Sequence, residues 1–305
     1  MAIKPGDTVL VLGGCGFLGR ALISELHQRG YVLRVVTRRP DRHRDLLVFP
    51  RLTVLAGNVH DDQALAQFAR GCHAIVNLIG VFAERSPQEF RQVHEDLPMR
   101  IGRVAGGRAI LHVSAIGASL NAASACLRSK AAGEARLREV APQAIIVRPH
   151  VLYGPRDRFV CRFARWLRWS PFGFPVPFPD ADLYPAHVAD MAAGLGRALA
   201  LVRAAGQTYE LCGPEAVPLR HAVEAISQAT GLRVSARPLS LLTSRRLAQF
   251  GARFPTWFFA ADPWWALRDA GPCGREALGF AALETEPRPF GTALRDLLPR
   301  VSPAR

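Results

Sequence analysis

The stretch Val9-Leu10-Val11-Leu12-Gly13-Gly14-Cys15-Gly16-Phe17-Leu18-Gly19 joins an apolar run directly to a glycine-rich turn. A tight turn, a close approach of backbone to a pyrophosphate and close helix packing each exclude a Cβ, and glycines with this spacing meet all three needs. A helix that begins after the turn would point its N-terminus at the phosphates. We therefore predict dinucleotide contacts from the turn and the first helical residues, namely Gly13, Gly16, Phe17, Leu18 and Gly19.

Short β-branched runs alternate with helical stretches from the first strand as far as residue 148. The predicted strands are 8–12, 32–37, 52–56, 74–79, 109–114 and 144–148, and the predicted helices are 17–29, 62–69, 90–104 and 130–140. Continuous apolar strands joined by such helices predict an α/β fold with a doubly wound parallel Rossmann sheet. We expect a nucleotide-binding domain at 1–155 and a smaller C-terminal α+β cap at 156–305. A helix at 187–204 is expected to return to the sheet.

Positive charge follows the second predicted strand, at Thr37-Arg38-Arg39. Domains that prefer NAD place an Asp or Glu there, which accepts a hydrogen bond from the ribose 2′-hydroxyl. Arg38 can instead pair with a 2′-phosphate, and Arg39 can share that charge. NADP(H) is therefore the preferred cofactor, with NAD(H) as the alternative. Because the chain is rich in arginine, the alternative interpretation is that Arg38 and Arg39 are solvated surface residues.

Two further strand ends carry candidate cofactor contacts. The third predicted strand runs into Asn58 and Val59, which we expect beside the adenine, and the fourth runs into Leu78, Ile79 and Gly80, which we expect beside the ribose. Open α/β sheets bind their ligands at the carboxyl ends of successive strands.

The composition bounds the remaining possibilities. The 305 residues include 39 basic and 25 acidic side chains, a net charge of +14, which favours an acidic partner such as nucleotide phosphate, anionic lipid or an acidic protein face. No nucleic-acid motif is present, so we expect no nucleic acid as a partner. The six cysteines form no C-x-x-C pair, and the histidines lack metal-ligand spacing, so we predict no metal, no disulfide framework and a reducing cytosol. The first 20 residues hold no signal peptide or membrane span.

In this order the motifs resemble those of the short-chain dehydrogenase/reductase superfamily, in its extended, atypical branch that includes the NAD-dependent epimerase/dehydratase-like proteins. More narrowly they are similar to bacterial relatives of the nucleotide-binding accessory subunit of respiratory complex I. The stretches that carry the resemblance are Leu10–Gly19, Asn77–Gly80, His112–Ala118, Arg128–Glu134, Arg148–Phe159 and Tyr209–Glu215.

The resemblance implies a serine at the end of the fifth strand and a tyrosine four residues before a lysine, which together perform proton chemistry. Ser114 and Lys130 match, and Lys130 is one of only two lysines in the chain, but the tyrosine position holds Cys126. Cys126 can be a small buried residue in a protein that has lost catalysis, another residue can substitute for the tyrosine, or the thiol itself can react. Tyr153 and His150 are the nearest substitutes by motif position.

The same resemblance places Pro149 and Val151 at the cofactor. It also implies that the lysine holds the nicotinamide ribose, so retention of Lys130 in a chain almost without lysine suggests that binding has outlived catalysis.

Tryptophans concentrate in two segments of the second half. Trp166 and Trp169 lie within 159–178, and Trp257, Trp264 and Trp265 lie within 254–266. If residues 158–169 are helical, aromatic side chains share one face and arginines at 158, 162, 165 and 168 lie largely on another. Such a helix suits an anionic membrane surface or a quinone-like ligand. The alternative is that the aromatic residues pack a cap against the Rossmann core.

These features lead us to expect an NADP(H)-binding structural, assembly or sensing component associated with subunits of a respiratory complex. It would be cytoplasmic or peripheral on the inner face of the cell membrane, and catalytically weak. The rival is an active NADP-dependent oxidoreductase or epimerase on an apolar, quinone-like or sugar-like carbonyl, in which Ser114 polarises the carbonyl and Lys130 holds the ribose. A third, weaker alternative is a redox sensor that acts through Cys126.

Overall fold

A computed structural model describes residues 2–82, 86, 88–157, 159–170, 173–232, 234–244, 246 and 261–297. The strands are β1 (Thr8–Leu12), β2 (Val32–Thr37), β3 (Leu52–Ala56), β4 (Ala74–Asn77), β5 (Ala109–Val113), β6 (Ile145–Pro149), β7 (Leu152–Tyr153), β8 (Phe174–Val176), β9 (Asp182–Leu183), β10 (Ala186–His187), β11 (Thr208–Leu211), β12 (Val217–Pro218) and β13 (Ala236–Pro238). The α-helices are α1 (Phe17–Gln28), α2 (Asp62–Ala69), α3 (Leu97–Ala105), α4 (Ala125–Val140), α5 (Val160–Leu167), α6 (Val188–Ala200), α7 (Leu219–Ala229), α8 (Ala261–Asp269) and α9 (Phe290–Leu297).

Seven parallel strands form the central sheet, in the order β11-β6-β5-β4-β1-β2-β3. Alternate residues of β1 face opposite sides: Val9 and Val11 belong to one buried cluster, and Leu10 and Leu12 belong to another. Both faces of the sheet are therefore covered, as expected for a parallel sheet whose strands are apolar throughout. The strand order reverses between β1 and β4, which puts the topological switch point beside the glycine turn. The predicted doubly wound α/β fold is confirmed.

The helix before β5 differs from the prediction. Residues 90–104 were expected to form one α-helix, but Arg91–Asp96 is a π-helix that leads into α3. Pro98 explains the change, because proline has no N–H to donate to the carbonyl of His94 four residues earlier and its ring crowds that carbonyl. Such π-bulges occur often at functional sites.

Three element boundaries also moved. Helix α4 begins at Ala125 rather than 130, because the Ser124 hydroxyl caps it by accepting from the Leu127 N–H at 3.2 Å. Strand β4 ends at Asn77 instead of 79, where its side chain accepts from the Ile79 N–H. The helix expected at 187–204 ends at Ala200 and is followed by a 3₁₀ turn, Val202–Ala204.

The second half of the chain builds its own apolar cluster around Tyr153, Phe163, Phe174 and Trp264. Helix α6 lies apart from this cluster and packs on α1 with its apolar face in the first core. The predicted division at residue 155 stays a prediction. Trp257 and Arg158 lie outside the described residues.

The disulfide content of the chain differs from the prediction. Cys212 and Cys273 form a disulfide, so the expectation drawn from their lack of pairing in the sequence was wrong for this pair. The two cysteines are 61 residues apart in the sequence, so their contact forms only in the folded chain.

Among the described residues, no helix is long and apolar enough to cross a lipid bilayer.

Candidate functional site

The glycine turn has the geometry that its sequence predicted. Gly13 has φ +81°, and a Cβ there would lie 3.1 Å from the backbone of Leu78 and Ile79. A Cβ on Gly19 would clash with the backbone of Gly14 at 2.6 Å. Both positions therefore require glycine. The turn holds β1, α1 and the end of β4 close together.

The start of α1 is open to an anion. Its N-cap is Gly16, so no side chain caps the helix, and its first turn, which contains Phe17 and Leu18, holds no acidic residue. The helix dipole and the first N–H groups therefore favour a phosphate at this point. Arg20 braces the turn, because its Nε donates to the Cys15 carbonyl at 3.2 Å and its guanidinium pairs with Asp45. These residues fit a dinucleotide pyrophosphate.

Arginines surround the place where an adenosine ribose would lie. Arg38 and Arg39 are exposed at the end of β2, and neither guanidinium forms an ion pair with a described residue. The half-buried His60 has its pKa lowered by burial first and then by the positive charges of Arg100 and Arg38. Two positive charges therefore act on His60, and Asp96 opposes them.

The predicted adenine and ribose contacts lie at the carboxyl ends of β3 and β4. Asn58 is exposed and its Oδ1 accepts from the His60 N–H at 3.1 Å, while Val59 is buried. Leu78 and Ile79 are half-buried. The remaining predicted contacts lie at the end of β6. Pro149 is its buried last residue, and Val151 is half-buried two residues later.

Asn77, which sequence reasoning used only as part of a motif, locks the end of β4. Its side chain is fully buried, donates from Nδ2 to His112 Nδ1 at 3.1 Å, and accepts at Oδ1 from the Ile79 N–H at 3.1 Å. Burial lowers the pKa of His112 to about 3, which keeps the ring neutral and able to accept.

Ser114 and Lys130 meet at the end of β5. Lys130 is 8% exposed, and its Nζ donates to the Ser114 carbonyl at 3.1 Å. Burial lowers the pKa of Lys130, with Cys126 and Glu134 opposing the shift. The Ser114 hydroxyl is buried and has no hydrogen-bond partner among the described residues. An unpartnered buried hydroxyl costs free energy unless a ligand satisfies it, so this atom fits a site that holds a polar ligand.

Cys126 is part of a closed ring of hydrogen bonds with the end of β4 and the π-helix. Its Sγ donates to the Val81 carbonyl at 3.4 Å, and the Val81 N–H donates to His94 Nε2 at 3.1 Å. Because Nε2 accepts, His94 Nδ1 carries the proton and donates to the Ser129 hydroxyl at 2.8 Å. That hydroxyl donates to the Cys126 carbonyl at 2.8 Å, which closes the ring.

The titration of these groups opposes proton transfer near neutral pH. Burial raises the pKa of the Cys126 thiol to about 11, although Lys130 acts in the other direction. Burial lowers the pKa of His94 to about 2, with the positive charge of Lys130 contributing. At pH 7 the thiol is therefore neutral and so is the imidazole. Sequence reasoning did not find His94, since nothing in its local pattern distinguished it.

The two substitutes considered for the missing tyrosine are held in structural contacts. His150 accepts at Nδ1 from the Val151 N–H at 2.7 Å and contacts the Gly271 carbonyl through Nε2 at 3.2 Å. Burial lowers its pKa to about 4. Tyr153 is fully buried between His187 and Phe290, and burial raises its pKa to about 12.

Helix α8 supplies two carboxylates to the N-terminus of α4. Asp262 accepts from the Ala125 N–H at 2.6 Å, from the Cys126 N–H at 3.1 Å and from the Ser124 hydroxyl at 3.0 Å. Asp269 accepts from the Ala123 N–H at 2.6 Å. An anion at a helix N-terminus is stabilising. The pairing joins residues more than 130 positions apart, so no local signal could predict it.

Comparison with known proteins completes the site. The profile of the NAD dependent epimerase/dehydratase family matches residues 9–168, which is more than half of the chain. The chain belongs to the NAD dependent epimerase/dehydratase family. This confirms the predicted resemblance, and NAD(P) is the cofactor class of the family.

The chain is also similar to two curated relatives. It is 32% identical over 248 residues to NADH dehydrogenase (ubiquinone) 1 alpha subcomplex subunit 9, mitochondrial, of Mus musculus, with 77% of this chain and 64% of that protein covered. It is 34% identical over 201 residues to a ceramide reductase of Caulobacter vibrioides, with 64% and 62% covered. The chain thus spans less than two thirds of the length of these relatives.

A solved structure shares the fold. A nucleoside-diphosphate-sugar epimerase of Staphylococcus aureus superposes with a TM-score of 0.72 at 16% identity, covering 94% of this chain and 99% of that one. The family resemblance implies a serine, a tyrosine and a lysine for proton chemistry. In the present chain Ser114 and Lys130 are in contact, and a buried thiol stands at the tyrosine position.

The aromatic residues of the second half mostly serve the core. Phe163 and Trp264 are buried, and Trp166 stacks on Phe174 with ring centroids 6.2 Å apart. Trp169 differs, since 84% of it is exposed. On the same helical stretch Arg165 and Arg168 are exposed. The packing interpretation therefore describes most of the aromatic segment, and one basic, tryptophan-bearing corner remains on the surface.

Proposed function

We propose that this chain binds NADP(H) and retains it as a structural or sensing ligand, with little or no turnover. We further propose that it acts as an assembly component of a respiratory complex and docks peripherally at the inner face of the cell membrane. When bound, the dinucleotide supplies hydride chemistry; the residues around it determine whether that chemistry is used.

The observation that carries the proposal is the closed ring through Cys126. A proton donor at this position must reach a substrate held over the nicotinamide. Cys126 points its thiol at the Val81 carbonyl instead, and burial holds its pKa near 11. His94, the other titratable group in the ring, donates to Ser129 and stays neutral because burial depresses its pKa. The ring thus occupies the groups that would otherwise move a proton.

The binding half of the proposal rests on contacts that do not need catalysis. The open N-terminus of α1, the exposed Arg38, which pairs with no described carboxylate, and the Lys130 ammonium beside Ser114 are the groups that would contact the dinucleotide. The docking half rests on similarity to a complex I subunit, on the net charge of +14 and on the exposed Trp169.

A retention experiment tests the proposal. The protein is loaded with NADPH, passed through a desalting column, and exposed to short-chain quinones and a panel of carbonyls while reduced nicotinamide is followed by absorbance. We expect the cofactor to remain bound and unconsumed. Lys130→Met should lose retention, and Lys4→Met, which replaces the other, exposed lysine, is the matched control. Consumption that depends on Lys130 would overturn the silent role.

Docking is tested separately. Tagged protein should accompany membranes or a respiratory complex at low ionic strength and leave them as salt is raised, because exposed charges are screened. Absence from both fractions at low salt would contradict this half of the proposal.

A second candidate function is an NADP-dependent reductase acting on an apolar carbonyl. Two observations favour it: the similarity to a ceramide reductase, and the unpartnered Ser114 hydroxyl, which could polarise a carbonyl. An open depression of about 380 Å³ beside α4 offers some apolar contact from Phe90, Leu120 and Ala125, although Arg91, Glu95 and Arg128 also line it. This candidate needs a proton donor other than the described ring, and NADPH consumption by long-chain carbonyls would establish it.

A further inference from the structure

The Cys212–Cys273 disulfide ties the end of β11 to the chain that follows α8. Both cysteines are partly exposed, and residues 274–278 directly after Cys273 are exposed. The other four cysteines are thiols, of which Cys126 is buried and Cys161 is half-buried. A dithiol in solution can therefore approach this disulfide, because access to a sulfur atom governs exchange.

Residues 261–273, here named the strap, connect this disulfide to the candidate site. Asp262 accepts hydrogen bonds from the first two N–H groups of α4, the helix that carries Cys126 and Lys130. Asp269 accepts from the Ala123 N–H, just before that helix begins. The strap therefore covers the end of α4 at which Cys126 lies.

The other contacts of the strap also reach the site. A Cβ on Gly117, in the loop that follows Ser114, would lie 2.9 Å from the Ala270 Cα, so this loop and the strap lie backbone against backbone. The Gly271 carbonyl lies 3.2 Å from Nε2 of His150, the residue that directly follows β6. The strap thus contacts the loop after β5, the start of α4 and the residue after β6.

We propose that Cys212–Cys273 is a redox-active disulfide that fastens the strap over the nicotinamide end of the site, and that reduction by a dithiol loosens it. One thiolate of the dithiol attacks a sulfur of the pair and forms a mixed disulfide, and its second thiolate then displaces the bound cysteine. The dithiol loses two electrons and becomes a disulfide. Cys212 and Cys273 gain those electrons and two protons and become thiols.

Tethering explains why reduction would matter. With the disulfide closed, the strap stays near its docking place at a high effective concentration, so its hydrogen bonds to α4 re-form whenever they break. With the disulfide open, the strap is held by those bonds, by the packing of Trp264 in the second apolar cluster and by contacts such as the Gly274 N–H to Glu210 Oε2 at 2.8 Å, without the covalent link that keeps its far end in place. The inference goes beyond the proposed function. It requires a dinucleotide site but neither the preference for NADP(H) nor the docking role.

Thiol counting and hydrogen exchange test the switch without any cofactor. In unfolded protein a thiol reagent should count four thiols before dithiothreitol and six after. In folded protein we expect reduction to speed amide exchange at 123–126 by about tenfold or more. The Cys212→Ser and Cys273→Ser variants should exchange at the fast rate with or without dithiothreitol. Cys161→Ser, which removes a half-buried thiol outside the pair, should behave as the parent protein does.

Two results would overturn the inference: six thiols in the untreated protein, or equal exchange at 123–126 in both redox states. A third readout follows the functional consequence, since NADPH should dissociate faster from the reduced protein. An unchanged dissociation rate would remove the gating claim. If the protein binds no NADPH, the proposed function fails, whereas the exchange result still decides the strap.

Discussion

At the residue scale, Cys126 shows how one substitution can change the use of a site. A phenol at this position extends well beyond the helix, whereas a thiol is several ångströms shorter and stays near the backbone. Here the thiol reaches only as far as the Val81 carbonyl, and its neutral state is favoured because burial raises its pKa. Lys130 and Ser114 keep their positions nearby. Lys130 and Ser114 stay in contact, while the position implied for a proton donor holds a thiol that is engaged elsewhere.

Arg38 gives a prediction at the same scale. Arg38→Asp should raise the NADPH dissociation constant by about tenfold to a hundredfold, because a charge-assisted hydrogen bond contributes roughly 1.5–3 kcal/mol. NADH affinity should stay level or improve, since the new carboxylate can accept from a 2′-hydroxyl. Fluorescence titration with both cofactors measures this. Arg165→Asp makes the same charge change on α5 and should affect neither cofactor; equal affinity of the parent protein for both would refute the phosphate contact.

At the element scale, the contact between the π-helix and α4 positions the ring. Gly133 lies in α4 against the π-helix, and a Cβ there would lie 2.8 Å from the His94 carbonyl carbon and nearer still to its oxygen. The absence of a side chain lets the two helices approach until His94 reaches both Val81 and Ser129. The position of His94 therefore depends on both the π-helix and Gly133.

Replacing Gly133 with alanine should separate these helices. We expect the free energy of unfolding to fall by about 1–3 kcal/mol from overpacking, even though alanine favours a helix by about 1 kcal/mol over glycine. Urea denaturation followed by circular dichroism measures the change. Gly291→Ala is the matched control, because Gly291 lies in α9 with no atom near its would-be Cβ. Similar losses in both variants would show that the His94 contact is unimportant.

At the scale of the whole molecule, the described chain buries several neutral histidines close to the sheet. Burial lowers the pKa of His94 to about 2, of His112 to about 3 and of His150 to about 4. Each ring accepts a hydrogen bond at one nitrogen, which only the neutral form can do. These three residues join the π-helix, the sheet and the strap, so protonation would disturb contacts across the molecule.

Stability should therefore fall as the solution is acidified from neutrality. In the unfolded chain these histidines titrate near pH 6.5, so below that pH the unfolded state binds protons that the folded state excludes. Each should cost about 2 kcal/mol between roughly pH 7 and pH 5, and none should add a slope above pH 7. Urea unfolding across this range measures the loss. His112→Asn should remove about one proton from the slope, with the exposed His221→Gln as control; a flat profile would contradict the prediction.

The sequence by itself determined the doubly wound sheet and the glycine turn. These follow from periodicity and from strand ends that share one edge, which are local properties that repeat along the chain. The start of α4 was missed by five residues, although its Ser124 cap was a local signal that could have been used. The packing alternative holds for Phe163 and Trp264, whereas the surface interpretation stays a prediction at the exposed Trp169.

The tertiary structure alone decided the hydrogen-bond ring, the carboxylates from α8 and the disulfide. The ring depends on a π-helix and on a glycine that faces it from another helix, the carboxylates come from more than 130 residues away, and the two cysteines are 61 residues apart. Such contacts form between elements, so their energies depend on distances in space that no window of sequence contains. That is why the sequence could predict the fold and name candidate binding residues, while only the tertiary structure could show that the Cys126 thiol donates to the Val81 carbonyl.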